Sequence, residues 1–177
     1  MIARELSSNA QLTLRQISNP ELEALSSYSR VLWRLAYEPV LLSPTQAQLL
    51  WTRGYEPEAL HRAEAAGESF FWIEQEGLRA GFLANRYHEE RQLFQLTRLY
   101  LHPDYWNLGI GAWCLAGMIR QAKTLRARRI EIYVLRTNQR AIKAYVRAGF
   151  HLDREELADF GGGIIYDDFV MALDLDA

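Results

Sequence analysis

At 177 residues and a formal net charge of −2, the chain has the length of one domain with a substantial core and offers no electrostatic case for nucleic acid as its main partner. Apolar residues make up 49% and charged residues 24%, the balance of an ordinary soluble globular protein. The one cysteine, Cys114, excludes an intrachain disulfide and fits a reducing compartment. Residues 1–8 hold no apolar run of signal length, and no stretch reaches the roughly 20 apolar residues of a membrane span. A single domain over residues 1–177, located in the cytoplasm with no membrane partner, is therefore expected.

Leu12-Thr13-Leu14-Arg15-Gln16-Ile17 alternates apolar and polar residues as a half-buried strand does. Asn19-Pro20 reads as an N-cap followed by proline at the first helical position. Leu22, Leu25, Tyr28, Leu32 and Leu35 then recur at helical spacing to about Ala36, and Pro39 interrupts them. Ser43-Pro44-Thr45-Gln46 reads as a capping box for a second helix carrying Ala47, Leu50 and Trp51, with Gly54 at its end. Glu56-Pro57 opens a short third helix to about Ala66, stopped by Gly67. Residues 69–74 and 80–87 form a hairpin across Gln75-Glu76-Gly77, and a polar turn at 88–91 leads to a strand over 93–101. A helix starts near Gly109, with Ile110, Trp113, Cys114, Gly117, Met118, Gln121, Ala122 and Leu125 on its inner face. A strand over 130–135, a helix capped by Thr137 or Asn138 and ended at Gly149, and strands over 150–157 and 164–173 around the Gly161-Gly162-Gly163 turn complete the chain. This order of strands and helices is that of an α/β chain.

Two clusters carry the chemistry. Leu99-Tyr100-Leu101 leads through a Pro/Asp turn into Trp106-Asn107-Leu108-Gly109-Ile110-Gly111-Ala112, a glycine loop that opens a helix. Such a loop presents free backbone N–H groups and the positive end of a helix dipole, which suits an anion such as phosphate. Asn107 fits there because asparagine tolerates left-handed backbone. No Gly-Lys-Ser/Thr follows, so the loop is not a P-loop. The second cluster is Asn138-x-x-Ala141-x-x-x-Tyr145-x-x-x-Gly149-Phe150, one strand and one helix further on.

Together the clusters resemble the GNAT superfamily, the GCN5-related N-acetyltransferases that use acetyl-CoA. The glycines of the loop match that family's Arg/Gln-x-x-Gly-x-Gly/Ala pattern, while Trp106 stands in place of the leading Arg/Gln. The second cluster matches at every named position, and Tyr166-Asp167-Asp168-Phe169-Val170-Met171-Ala172-Leu173 resembles the family's last strand. The resemblance is strong over residues 94–173 and looser over 12–93.

The resemblance implies a single-domain α/β acetyltransferase fold with a central mixed, mostly antiparallel sheet flanked by helices on both faces, acetyl-CoA as acyl donor, no metal, and a primary amine as acceptor attacking directly in a ternary complex. It implies that backbone N–H groups from Asn107 through Leu108, Gly109, Ile110 and Gly111 to Ala112 hold the CoA pyrophosphate. Trp106 contributes backbone or stacking only. It implies a bulge in the strand 95–101 that splays it from 130–135, with pantetheine pairing to the backbone of Leu99 and Leu101 and one bulge N–H facing the thioester oxygen. Tyr145 is the implied acid that protonates the departing thiolate, Asn138 touches the pantetheine arm or only caps its helix, and Ala141 is small enough to admit the cofactor.

The general base stays open. Gln95 stands where family members often place a glutamate, and an amide is no base. Glu89, Glu90, Glu38 or a water chain are the alternatives. Asp167-Asp168 either attracts a cationic amine or studs an exposed strand edge. Cys114 reads as a small core residue, His102 as part of a His-Pro turn, and Trp33, Tyr37 and Tyr55 as core aromatics. A small-molecule amine is the expected acceptor. A protein N-terminus or lysine, a non-catalytic CoA-binding module and a cofactor-free scaffold remain alternatives, and a homodimer is open.

Overall fold

The computed structural model describes residues 11–37, 44–159 and 165–175. β1 (Leu12–Gln16) passes through a short 3-10 turn into α1 (Leu22–Tyr37), followed by α2 (Pro44–Tyr55) and α3 (Pro57–Ala65). Then come β2 (Glu68–Gln75), β3 (Leu78–His88), β4 (Leu93–Leu101), α4 (Ile110–Thr124), β5 (Arg129–Leu135), α5 (Gln139–Arg147), β6 (His151–Asp159) and β7 (Ile165–Asp174). The strands form one seven-stranded sheet in the order β1-β2-β3-β4-β5-β7-β6. Every pairing is antiparallel except β4 with β5.

Two apolar layers sandwich this sheet. On one face Leu22, Leu25 and Leu32 of α1, Trp51 of α2 and Leu60 of α3 pack on Phe70, Trp72 and Phe82. On the other, Ile110, Cys114, Leu115, Met118 of α4 and Tyr145 of α5 pack on Leu83, Phe94, Leu96, Ile130, Ile132 and Met171. Cys114 is fully buried, and burial alone pushes its thiol up to about 12, so it is an inert core residue.

Local chemistry accounts for most element ends. The β2–β3 hairpin turns on Glu76 and Gly77, both left-handed at φ 52° and 77°, as a two-residue hairpin loop requires. The N-terminal cap falls one residue earlier than expected. Ser18 precedes the turn, and the Glu21 carboxylate accepts from its N–H and hydroxyl, while Asn19 donates to Glu64 at 2.5 Å. Gly54 lies inside α2, one residue before its end, where its carbonyl accepts from Arg98. On α4 the buried face includes Leu115, and Leu125 is 39% exposed because the helix stops at Thr124. Residues 1–8, Glu38, Pro39, Ser43, the 161–163 glycine turn and the side chains of Ala36, Tyr37, Ala47 and Tyr166 lie outside the described residues.

Close approach decides one glycine. Gly81 pairs with Leu101, and a Cβ there would overlap the carbonyl oxygen of Tyr100. Only glycine lets β3 lie this close to the far end of β4.

Candidate active site

β4 is where the sheet opens. Ala84 pairs with Arg98 but Asn85 pairs with Leu96, so Thr97 is an extra residue on β4, a bulge. Before it, Phe94 and Leu96 face α4 and α5; after it, Leu99 and Leu101 do. The bulge thus resets the alternation and puts Thr97 and Arg98 together toward α1–α3. It also ends the parallel pairing. β4 and β5 are joined only over Leu93–Leu96 and Arg129–Ile132, and the rest of β5 pairs with β7 alone. From Thr97 and Tyr133 onward the two strands diverge, leaving backbone groups of β4 without a strand partner on that side.

A cleft fills the fork. Leu99, Leu101, Trp106, Arg140, Ala141 and Tyr145 line both its mouth between the strands and a wider part, about 680 Å³, between α4 and α5. The wider part runs along Asn107, Gly109, Ile110, Gly111 and Ala112. Asn107 and Gly109 are left-handed at φ 60° and 77° and turn the chain into α4. The N–H groups of Ile110, Gly111 and Ala112 have no earlier helical carbonyl to reach, so this end of α4 can accept an anion. Leu108 differs from its neighbours: it does not line the cleft, and its side chain packs on the α4/α5 core.

Trp106 is the residue where the sequence lacks a charge. Its indole N–H donates to the Leu101 carbonyl at 2.7 Å, tying the loop back to the strand end. That carbonyl keeps a second lone pair for another donor. The Arg140 guanidinium lies 3.4 Å above the Trp106 ring.

α5 brings the remaining groups. Asn138 caps it, its Oδ1 accepting from Ala141 N–H at 3.2 Å, and also lines the mouth. Tyr145 is 8% exposed, packs against Phe150, and has no hydrogen-bond partner among the described residues. Burial pushes its phenol up to about 12, with the nearby Arg140 cation opposing.

Gln95 bonds to His88 at 3.3 Å. Glu89 and Glu90 are exposed in the turn before β4, about 13 Å of strand from Thr97. His102 accepts from Asp104 N–H as a turn cap. Trp33 and Tyr55 are buried in the α1–α3 core. Asp167 is bound by Arg136 at 2.9 Å, whereas Asp168 lies opposite Glu156 on β6.

Burial, then the Glu156 and Asp167 charges, push Asp168 up to about 6. Between about pH 4 and 6 the folded form therefore holds this proton more tightly than the unfolded chain, so stability falls as pH rises through that window. Asp168 is half-buried, and solvent screening reduces the effect. Asp168→Asn is expected to raise stability by about 1 kcal/mol at pH 7.5 and by much less at pH 4. Identical urea midpoints for variant and wild type at pH 7.5 would contradict the assignment.

Sequence reasoning missed a buried cluster behind the bulge. Glu68, at the start of β2, accepts hydrogen bonds through Oε1 from both Thr97 Oγ1 and Arg98 Nη1. Arg98 also donates to the Gly54 carbonyl and lies over the Tyr55 and Phe70 rings. Tyr55 and Tyr100 share a 2.7 Å hydrogen bond beside it. Nothing local in the sequence marks Glu68, since its partners are 29 and 30 residues away. Arg140 was hidden likewise, between two motif positions.

A strand pair that opens beside a helix-capping glycine loop, with a buried phenol at the fork, is the layout of a group-transfer enzyme taking an extended ligand with an anionic end. A model of the Acetyltransferase (GNAT) family matches residues 31–150, and the chain belongs to that family. Solved structures with the same fold include PaiA N-acetyltransferase from Thermoplasma acidophilum in complex with coenzyme A, at 23% identity and a TM-score of 0.74 over 93% of this chain and 99% of that one. YncA of Salmonella typhimurium, with its cofactor acetyl-CoA, matches at 19% identity and 0.62 over 93% and 94%. Ribosomal-protein-alanine N-acetyltransferase from Brucella melitensis matches at 20% and 0.63 over 92% and 99%. At these identities the likeness is one of fold. No curated protein sequence matches the chain. Among the described residues no helix is long and apolar enough to cross a membrane, and no group of His, Cys, Asp and Glu has the arrangement of a metal site.

Proposed function

We propose that the protein is a one-domain N-acetyltransferase that moves an acetyl group from acetyl-CoA to a primary amine of a small molecule. The observation that carries this reading is the fork at Thr97, which opens β4 beside the anion-receptive start of α4. The N–H groups from Asn107 to Ala112 suit the pyrophosphate, and the free β4 edge at Leu99 and Leu101 suits the amides of pantetheine. Ala141 leaves room for the arm, and Asn138 stands beside it. Helix α1 reaches β4 on the opposite face. A wall beside the opening favours a compact amine over an extended peptide.

In the reaction the amine nitrogen attacks the thioester carbonyl, a C–N bond forms, and the C–S bond breaks. Tyr145 donates its proton to the departing thiolate, and the proton lost by the amine passes to solvent and restores the phenol. A bulge N–H stabilises the charge that develops on the carbonyl oxygen. Alignment of the two reactants in the fork supplies much of the rate.

The test is acetyl-CoA-dependent thiol release across amines, polyamines, amino acids and short peptides. Release with compact amines is expected. Release with peptides alone moves the acceptor to the protein class. Silence with acetyl-CoA still bound overturns catalysis in favour of a binding module, and failure to bind acetyl-CoA overturns the reading altogether.

A further inference from the structure

We infer that Arg140, seated on the face of Trp106, is the cation that recognises the pyrophosphate of the cofactor; the inference rests on the acetyl-CoA reading above. Residues 106–112 carry no cationic side chain, so the loop alone offers only backbone dipoles to a doubly charged group. Arg140 comes from the opposite wall, the first turn of α5. Its guanidinium stacks on Trp106, the residue next to Asn107, and lines the same groove as Gly109 and Gly111. Trp106 is itself fixed by its indole bond to Leu101, so the ring is a rigid seat.

The charge is uncommitted. Arg140 has no carboxylate or carbonyl partner among the described residues, although Arg15, Arg98, Arg129, Arg136 and Arg154 are each tied into at least one ion pair. Its surroundings desolvate it and hold its pKa below the usual arginine value, yet it stays charged at any working pH. A desolvated guanidinium with free donors facing a groove gains most from a bidentate oxyanion such as phosphate. Arg147 lines the groove as well but lies two turns further along α5, about 10 Å away. That separation leaves Arg140 as the partner of the loop.

The test compares ligands with and without the phosphates. Arg140→Gln is expected to weaken CoA binding about 10- to 100-fold by titration calorimetry. S-acetylpantetheine, which lacks the phosphates, should lose less than about threefold in kcat/KM with the same variant. Inorganic pyrophosphate should compete with CoA on the wild type and fail to compete on the variant. Trp106→Ala, which removes the seat, should weaken CoA in the same direction. Unchanged CoA affinity in Arg140→Gln, or equal losses for CoA and S-acetylpantetheine, would overturn the inference. A wild type that binds no CoA would instead overturn the cofactor reading on which it rests.

Discussion

Tyr145→Phe is expected to lower kcat about 10²- to 10⁴-fold while acetyl-CoA affinity changes less than about threefold. The ring is buried against Phe150 in the α4/α5 layer, and phenylalanine fills the same space. The phenol oxygen has no protein partner among the described residues, so its removal strands no buried polar group and leaves stability almost unchanged. Only the proposed proton donor is lost. The pH profile makes the role separable from packing. A phenol near its ordinary value of about 10 is half ionised at pH 10, whereas one at about 12 is about 99% neutral there. Burial therefore keeps the Tyr145 phenol protonated at pH 10 while weakening it as an acid, and under the proposed role kcat should show no fall centred on pH 10. Unchanged kcat in the variant would remove Tyr145 from the reaction, and a fall with midpoint near pH 10 would contradict its burial.

Glu68→Ala is expected to carry the largest stability loss of any substitution near the fork. The carboxylate and the Arg98 guanidinium are 9% and 14% exposed, so each is shielded by the fold and depends on the other. Breaking such a pair typically costs 3–5 kcal/mol because the surviving charge stays buried. Arg98 keeps the Gly54 carbonyl and two aromatic faces, which points to the lower end, about 3 kcal/mol. In a chain of this length that is a fall in Tm of about 10 °C. The same carboxylate holds two consecutive residues of the bulge, so the variant should also lose activity at temperatures where it remains folded. A urea midpoint within error of the wild type would show that the pair does not hold β4.

Where a feature depends on residues adjacent in the chain, the sequence displayed it. The β4 boundaries, the left-handed Asn107 and Gly109, the Asn138 cap and the start of α4 all follow from turn and cap chemistry within a few residues. The family pattern added Tyr145 and Ala141. What stayed hidden depends on distant partners. The bulge falls on Thr97 because of its pairing with β3, and Glu68 reaches it from β2. Trp106 read as a missing cation, yet it forms a surface for Arg140 that only the meeting of loop and α5 creates. The shift of the first cap from Asn19 to Ser18 is the exception, because Ser18 bonds to Glu21 only three residues on, a local Ser-x-x-Glu pairing, while the Asn19 amide donates to Glu64 in α3.

The central claim is that the α4 loop holds the phosphates of acetyl-CoA, and calorimetric titration of acetyl-CoA into the wild type and Gly109→Asp tests it most directly. Gly109 is left-handed, with open space where a Cβ would stand, and aspartate tolerates that backbone better than most residues. The variant should fold, while its carboxylate lies beside the N–H groups that face the anion. One equivalent bound by the wild type, with affinity lost at least about 100-fold in the folded variant, is the predicted result. Normal binding by a folded Gly109→Asp would contradict the account.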